Sequence, residues 1–355
     1  MNEHLKNIVQ PLLSWYRTNA RDLPWRHTED PYCIWVSEIM LQQTRVAAVI
    51  AYYERFMKRY PTVHHLAESS EEELMKLWEG LGYYSRARNL QKAARTVVNE
   101  LSGNFPDNYE DLLQLSGIGE YTAGAIASAA YGCRVSAVDG NVLRVISRVL
   151  EHDGDIADAK TKKLYKQWIE QVLPEKPEDM RIFNQALMEL GAVVCVPNGA
   201  PKCEQCPVYF CCKAARNGTA EKLPVKGAKK ARRIEEKTVF VLMNEGMVAL
   251  RKRDDDGLLA GLWEFPNTDT KLEETQVYSY LENLGLRVVE WNKQLSARHI
   301  FTHIEWHMTG YVLAVTGADT ENFVWADATE FFHYAIPSAF SKFKKEAIEL
   351  LQQNS

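Results

Sequence analysis

Leu115-Ser116-Gly117-Ile118-Gly119-Glu120-Tyr121-Thr122-Ala123-Gly124 is the stretch on which the fold turns. Leu112, Leu113 and Leu115 close an apolar helical face. Gly117 and Gly119 then let the chain reverse through backbone angles closed to other residues. A helix of small residues follows over 122–130. The pattern predicts helix, hairpin and helix near residues 107–130. The free N–H groups and positive dipole end of the second helix can hold a phosphate without reading a base. Downstream, Val138-Asp139-Gly140-Asn141-Val142 sets an acid at the start of another helix. No lysine lies between Lys92 and Lys160.

Composition bounds the rest. With 355 residues, two domains are expected, and 46% apolar residues suffice for packed cores. The N-terminal stretch carries Gln, Asn and Arg among its apolar positions, so neither a signal peptide nor a spanning helix is read. A soluble, intracellular protein of the cytoplasm is expected. The net charge of −5 is uneven. Residues 238–355 carry 10 Lys and Arg against 17 Asp and Glu, leaving 32 against 30 for residues 1–237. Overall charge therefore gives no support for a nucleic-acid partner, although a local basic face would suffice.

Residues 1 to 217 read as an all-α domain. Apolar residues recur at helical spacing over 5–16, 34–57, 71–81, 90–101, 109–115, 142–150, 164–173 and 182–194. Residues 218–237 are polar and charged without apolar period, and read as a linker. From residue 238 the period changes. Val239-Phe240-Val241-Leu242 and Val248-Ala249-Leu250 flank Asn244-Glu245-Gly246, a hairpin signal. Residues 307–315 read as a strand, 273–284 and 338–351 as helices. Residues 238–355 form an α+β domain.

Five of seven cysteines fall between residues 195 and 212. A secreted disulfide scaffold spreads its cysteines through a shorter chain, so the clustering points to metal. Cys195, Cys203 and Cys206, followed by Cys211 or Cys212, contain one C-x2-C knuckle and no nearby histidine. Spacing alone leaves both an iron–sulfur cluster and a zinc ion open. Cys33 and Cys133 read as core packing.

Two carboxylates carry chemical promise. Glu38 follows Ile34 by four residues and Trp35 by three, on or beside an apolar helical face, where burial raises a carboxyl pKa. Asp139 is placed to cap a helix, which alone would account for it, and capping keeps an Asp ionised. One acid pushed toward neutral and one held charged is the division of labour that glycosidic-bond cleavage needs.

These stretches occur in a telling order. Leu23-Pro24-Trp25-Arg26 comes first, then Glu38-Ile39-Met40-Leu41-Gln42-Gln43-Thr44 and Gly80-Leu81-Gly82-Tyr83-Tyr84-Ser85-Arg86-Ala87-Arg88-Asn89. The hairpin, the Asp139 stretch and the cysteines complete it. Together they resemble the MutY family of helix–hairpin–helix DNA glycosylases, over essentially the whole chain. The resemblance implies a multidomain fold: a helix–hairpin–helix glycosylase domain with an iron–sulfur subdomain, and a C-terminal α+β Nudix-like domain. It implies a monofunctional enzyme of base excision repair that removes adenine opposite 8-oxoguanine or guanine. By position, Glu38 protonates adenine N7 and Asp139 stabilises an oxocarbenium-like sugar. Tyr121, Trp25 and Arg26 line the pocket, and Asn141 supports Asp139. Gln43, Thr44, Leu81 and Tyr83 wedge into the base stack, Gly117 and Gly119 hold the backbone, and Phe301, Thr302 and His303 reach the lesion. The family pattern C-x6-C-x2-C-x5-C around a 4Fe-4S cluster assigns Cys195, Cys203, Cys206 and Cys212. This chain has one extra residue in the first gap. The implied partner is double-stranded DNA bearing the mispair, with no membrane and a monomeric protein.

Two alternatives follow from the same residues. Endonuclease III-like glycosylase/lyases use a hairpin lysine for a Schiff base, and that position here is Tyr121. A non-catalytic iron–sulfur DNA-binding protein would leave Glu38 and Asp139 as mere packing and cap. Nudix hydrolysis is not expected. The box R-E-U-x-E-E-x-G-U (U apolar) reads Tyr278-Ser279-Tyr280-Leu281-Glu282-Asn283-Leu284-Gly285-Leu286, with one carboxylate left.

Overall fold

The computed structural model describes residues 2–227, 231–317 and 323–353. Its helices are α1 (Asn2–Asn19), α2 (Pro31–Leu41), α3 (Val46–Arg59), α4 (Val63–Glu68), α5 (Glu71–Trp78), α6 (Ser85–Glu100), α7 (Tyr109–Leu112), α8 (Glu120–Tyr131), α9 (Gly140–Leu150), α10 (Ala159–Glu170), α11 (Pro177–Val193), α12 (Lys213–Arg216), α13 (Glu274–Asn283) and α14 (Ser341–Gln353). Strands are β1 (Arg233–Asn244), β2 (Met247–Lys252), β3 (Trp263–Glu264), β4 (Asn267–Thr268), β5 (Arg287–Ile300), β6 (Ile304–Thr316) and β7 (Val324–Ala326). No helix among the described residues is long and apolar enough to cross a membrane.

Two compact units emerge, one from Met1–Ser69 and Arg88–Ala228, the other from Ser70–Ala87 and Lys229–Ser355. The first is helical. Its core joins α1, α9, α10 and α11 through Leu12, Val145, Ile146, Tyr165, Phe183 and Leu187, all nearly inaccessible. The run 34–57, which reads as one helix, is two. The chain breaks between α2 and α3, where Gln43 takes φ 58. No Gly or Pro marks that break, so periodicity alone runs through it.

The second unit is a mixed sheet in the order β3-β2-β1-β6-β5, with β4 paired to β1 and β7 to β2. β1 and β6 are parallel, and β5 runs antiparallel to β6. Along β1 the side chains alternate between two cores: Val239, Val241 and Met243 join one, Phe240 and Leu242 the other. A strand covered on both faces reads as a continuous apolar run. Glu245 and Gly246 both have positive φ and close the β1–β2 hairpin in two residues, with Asn244 opposite Met247.

Two boundaries differ from the pattern-based ones. Residues 70–87 belong by periodicity to the helical half but pack with the second unit. There Lys76 Nζ donates to the Tyr334 carbonyl at 3.2 Å, and Glu79 pairs with Lys344. These are single polar contacts, which leave no periodic trace. Residues 218–237 are not all linker. Ile156 N donates to the Val225 carbonyl at 3.1 Å, and Arg148 Nε to that of Leu223 at 2.9 Å. β1 already starts at Arg233, its first residues hidden from composition by their charge. Residues 228–230 of that stretch lie outside the described residues.

Candidate active site

Asp139 is the N-cap of α9: its Oδ1 accepts from Val142 N at 2.8 Å and its Oδ2 from Asn141 Nδ2 at 2.6 Å. Arg144 Nη2 donates to Asn141 Oδ1 at 2.7 Å and to the Gly191 carbonyl at 2.7 Å. Gly191 makes this possible, because a Cβ there would sit 2.7 Å from that of Asn141. The close approach of α11 to α9 thus orients Asn141, and Asn141 orients Asp139. Glu38, on α2, accepts from Tyr121 Oη of α8 at 2.7 Å. Tyr121 Oη also lies 3.1 Å from Met188 Sδ.

Both acids open into one cavity of about 580 Å³. Trp25, Arg26, Gln43, Thr44, Tyr121 and Asn141 line it with them. Its volume falls in the range of small-molecule sites. Trp25 is wedged edge-on against Tyr53 at 5.3 Å between ring centroids. Burial pushes the Glu38 carboxyl from 4.5 up to about 7, with the Tyr121 hydrogen bond and Arg26 opposing and Asp139 adding. Burial also lifts Asp139 above the ordinary range. The cap by itself is expected to hold Asp139 toward the charged form; burial outweighs the opposing Val142 N–H, Asn141 and Arg144. The two acids remain distinct in partners: Asp139 accepts from an amide side chain and a backbone N–H, Glu38 from one phenol.

Sequence reading misses Arg21 and Glu189, which also line this cavity. Glu189 accepts from Arg21 Nε and Arg26 Nη2, each at 2.7 Å. Burial opposes ionisation there, but the Arg21 and Arg26 hydrogen bonds prevail and hold its carboxyl at about 2. An acid–base spacing across more than 160 residues leaves no local signature.

The hairpin before α8 differs in one detail. Gly117 has φ 78 and needs glycine, whereas Gly119 is extended, a conformation open to any residue. Gly119 is instead the N-cap of α8, with no side chain over the first N–H groups and open space around it. The shape suits a phosphate.

Cys195, Cys203, Cys206 and Cys212 line one small pocket together with Arg148; Cys211 does not. Arg148 Nη1 donates to Cys195 Sγ at 3.2 Å. Cys211 turns instead to the Val208 carbonyl at 3.4 Å. Burial and neighbouring thiols push Cys206 up to about 12 and Cys212 to about 11, so a cation must lower them before they bind as thiolates. Among the described residues no three His, Cys, Asp or Glu side chains are placed to hold a single metal ion.

Over 93% of its length the chain is 38% identical to adenine DNA glycosylase of Homo sapiens and spans 72% of that protein. The chain belongs to the adenine DNA glycosylase family. It is a DNA N-glycosylase of base excision repair. Residues 36–171 match the HhH-GPD superfamily of base excision DNA repair proteins, and residues 238–346 match the NUDIX domain. A thermostable thymine-DNA glycosylase is 32% identical, with a TM-score of 0.53 over 61% of this chain and 98% of that one. Endonuclease III in a non-covalent DNA complex shares the fold at 22% identity, with a TM-score of 0.51 over 61% of this chain and 98% of that one.

The remaining positions expected of an adenine DNA glycosylase lie in the second unit. In the turn after α5, Tyr83 is 46% exposed and has φ 49, whereas Leu81 is only 6% exposed. Tyr83 Oη lies 3.2 Å from Thr302 Oγ1. Residues 301–303 form the turn between β5 and β6. Thr302 and His303 are exposed there, while Phe301 packs on Trp306 at 4.8 Å. The degenerate Nudix box begins on α13 and runs past its end; on the helix Tyr280 stacks on Phe240 at 5.2 Å and Tyr278 leans on Trp291 at 5.7 Å.

Proposed function

We propose that the chain excises adenine paired with 8-oxoguanine or guanine in duplex DNA and leaves an intact abasic strand. The observation that carries this is the pairing of Glu38 and Asp139 in one cavity, one held by a phenol and the other by a helix cap. Glu38, pushed to about 7, holds a proton near neutrality and delivers it to adenine N7 as the glycosidic bond lengthens. The departing base carries the electron pair away as neutral adenine, Asp139 stabilises the cation that develops on the sugar, and water adds to that carbon and gives up a proton, leaving the abasic hydroxyl. Tyr121 keeps the Glu38 carboxyl aimed. The adenine must be extruded to reach the cavity. Tyr83, exposed beside Thr302, supports a wedge that reads the lesion strand, and Gln43 and Thr44 line the catalytic cavity. The buried Leu81 is then a support rather than a blade.

A lyase mechanism has no support here, since no lysine is among the residues lining the cavity. A 4Fe-4S cluster fits the cysteine pocket. The support is that four thiols, with no histidine, line one small pocket in a chain of this family. Cys195, Cys203, Cys206 and Cys212 would hold it, and it would supply rigidity to the loop beyond α11.

The test is single-turnover adenine release from duplexes bearing one A:8-oxoguanine, A:G or A:T pair, with borohydride added in parallel. Release from the first two, absent in Glu38→Gln and without a trapped protein–DNA adduct, is the expected result. An efficient adduct would overturn the monofunctional reading.

A further inference from the structure

Glu189 is the most enclosed acid at the cavity, with a side chain 0% exposed. It accepts from the Arg21 backbone N–H at 3.1 Å, from Arg21 Nε and Nη2 at 2.7 Å each, and from Arg26 Nη2 at 2.7 Å. Arg26 is engaged on other sides as well. Its Nη1 donates to the Arg21 carbonyl at 2.9 Å, and its guanidinium lies 5.4 Å from the centre of the Tyr16 ring. Arg26 and Glu38 line the same cavity.

The groups that face Glu38 are few. Tyr121 approaches from α8, Asp139 from the start of α9, and Arg26 from the 3-10 turn Pro24–Arg26. From α11 come Met188 and, through its arginines, Glu189. Arg21 lines the same cavity. A guanidinium that paired with Glu38 would hold it ionised and remove its proton. A buried arginine deprived of its own carboxylate is strongly unfavourable, and Glu38 is a carboxylate within its cavity.

We propose that Glu189 is a positioning residue for catalysis: it keeps Arg26 fully engaged, so that no cation pairs with Glu38 and the acid keeps its proton. The inference rests on Glu38 being the acid. In the present arrangement the arginines are hydrogen-bonded to Glu189, and the phenol of Tyr121 is the group that donates to Glu38. Glu189 thus acts through Arg26.

The experiment uses the full chain and the single-turnover rate on an A:8-oxoguanine duplex between about pH 5 and 9. In Glu189→Gln, the pH of half-maximal rate should fall by about one unit or more, because a freed opposite charge lowers a carboxyl by that much. The midpoint is the readout, since it is independent of any change in the plateau rate at low pH. Adding Arg26→Met should bring the midpoint back. An unmoved midpoint in the single variant, or one that stays low in the double variant, would overturn the proposal. If circular dichroism shows that the Gln variant does not fold, Glu189→Asp replaces it. Its shorter arm cannot serve both arginines, and a smaller fall in the same direction is expected; an unchanged midpoint is again fatal. Glu38→Gln separates this from the reading beneath it. If that variant keeps more than about a tenth of the rate, Glu38 is not the acid. If it is inactive while the Glu189 variants keep the parental midpoint, only the role of Glu189 fails.

Discussion

Glu38→Gln should make the protein inactive and, above neutral pH, more stable. An unfolded glutamate titrates near 4.5, whereas the folded one holds its proton to about 7. The folded value is raised, so the proton stabilises the fold fully below pH 4.5. That contribution is lost as pH rises through about 7, where the buried carboxyl must ionise. Each factor of ten in proton affinity is worth about 1.4 kcal/mol, so the ionised form costs on the order of 2–3 kcal/mol. A glutamine resembles the protonated acid and never ionises. It also keeps an acceptor for the Tyr121 hydroxyl, now 2.7 Å from Glu38 Oε2. The variant and parent should therefore have the same stability near pH 4.5 and differ by about 2–3 kcal/mol in favour of the variant near pH 8. Urea denaturation followed by circular dichroism at both pH values measures this. A Gln variant that is equally or less stable at the higher pH would show that Glu38 is ionised without penalty, and the case for it as a proton donor would collapse.

Asp139→Asn should lose about 10²-fold or more in rate while keeping its melting temperature, since an amide caps a helix about as well but stabilises no cation; a large melting loss with a modest rate loss would mean that Asp139 is chiefly a cap. Thr302→Ala should narrow the preference for A:8-oxoguanine over A:G by ~1–3 kcal/mol in single-turnover rates. Phe301→Ala should also loosen the second unit, because that ring packs on Trp306; a lower melting temperature checks this. Cys212→Ser should abolish the brown colour of an iron–sulfur protein, whereas Cys211→Ser, outside the shared pocket, should retain it; the reverse would reassign the fourth ligand.

What can be read from the chain follows how local each feature is. Asp139 announces its cap because Gly140-Asn141-Val142 follows it directly, and the hairpin announces itself through Gly117. Gln43 gives no warning that it takes a left-handed conformation and splits α2 from α3. Glu189 meets Arg21 and Arg26 across the length of the helical half, and no periodicity records such a meeting. β5 is hidden for another reason. Its polar residues Glu290, Lys293, Gln294 and Arg298 lie exposed on an edge strand and break the apolar alternation. Leu81 reads as a blade by its position in the motif, yet it is buried. The direction in which the Asp139 carboxyl moves depends on the depth of the site, which a cap motif does not encode.

The assignment of Ser70–Ala87 to the second compact unit bears on how this chain can be recombined. Its sequence lies inside the 36–171 span shared with other base excision repair proteins, so inheritance counts it with the catalytic half. Its packing counts it with the other, through Lys76 to Tyr334, Glu79 to Lys344 and Tyr83 to Thr302. A chimera joined near Lys226 would therefore set one parent's segment against another parent's partners. Exchanging residues 70–87 along with the C-terminal half keeps those contacts native to each other, and under the proposed function that is the graft that should carry lesion preference with it.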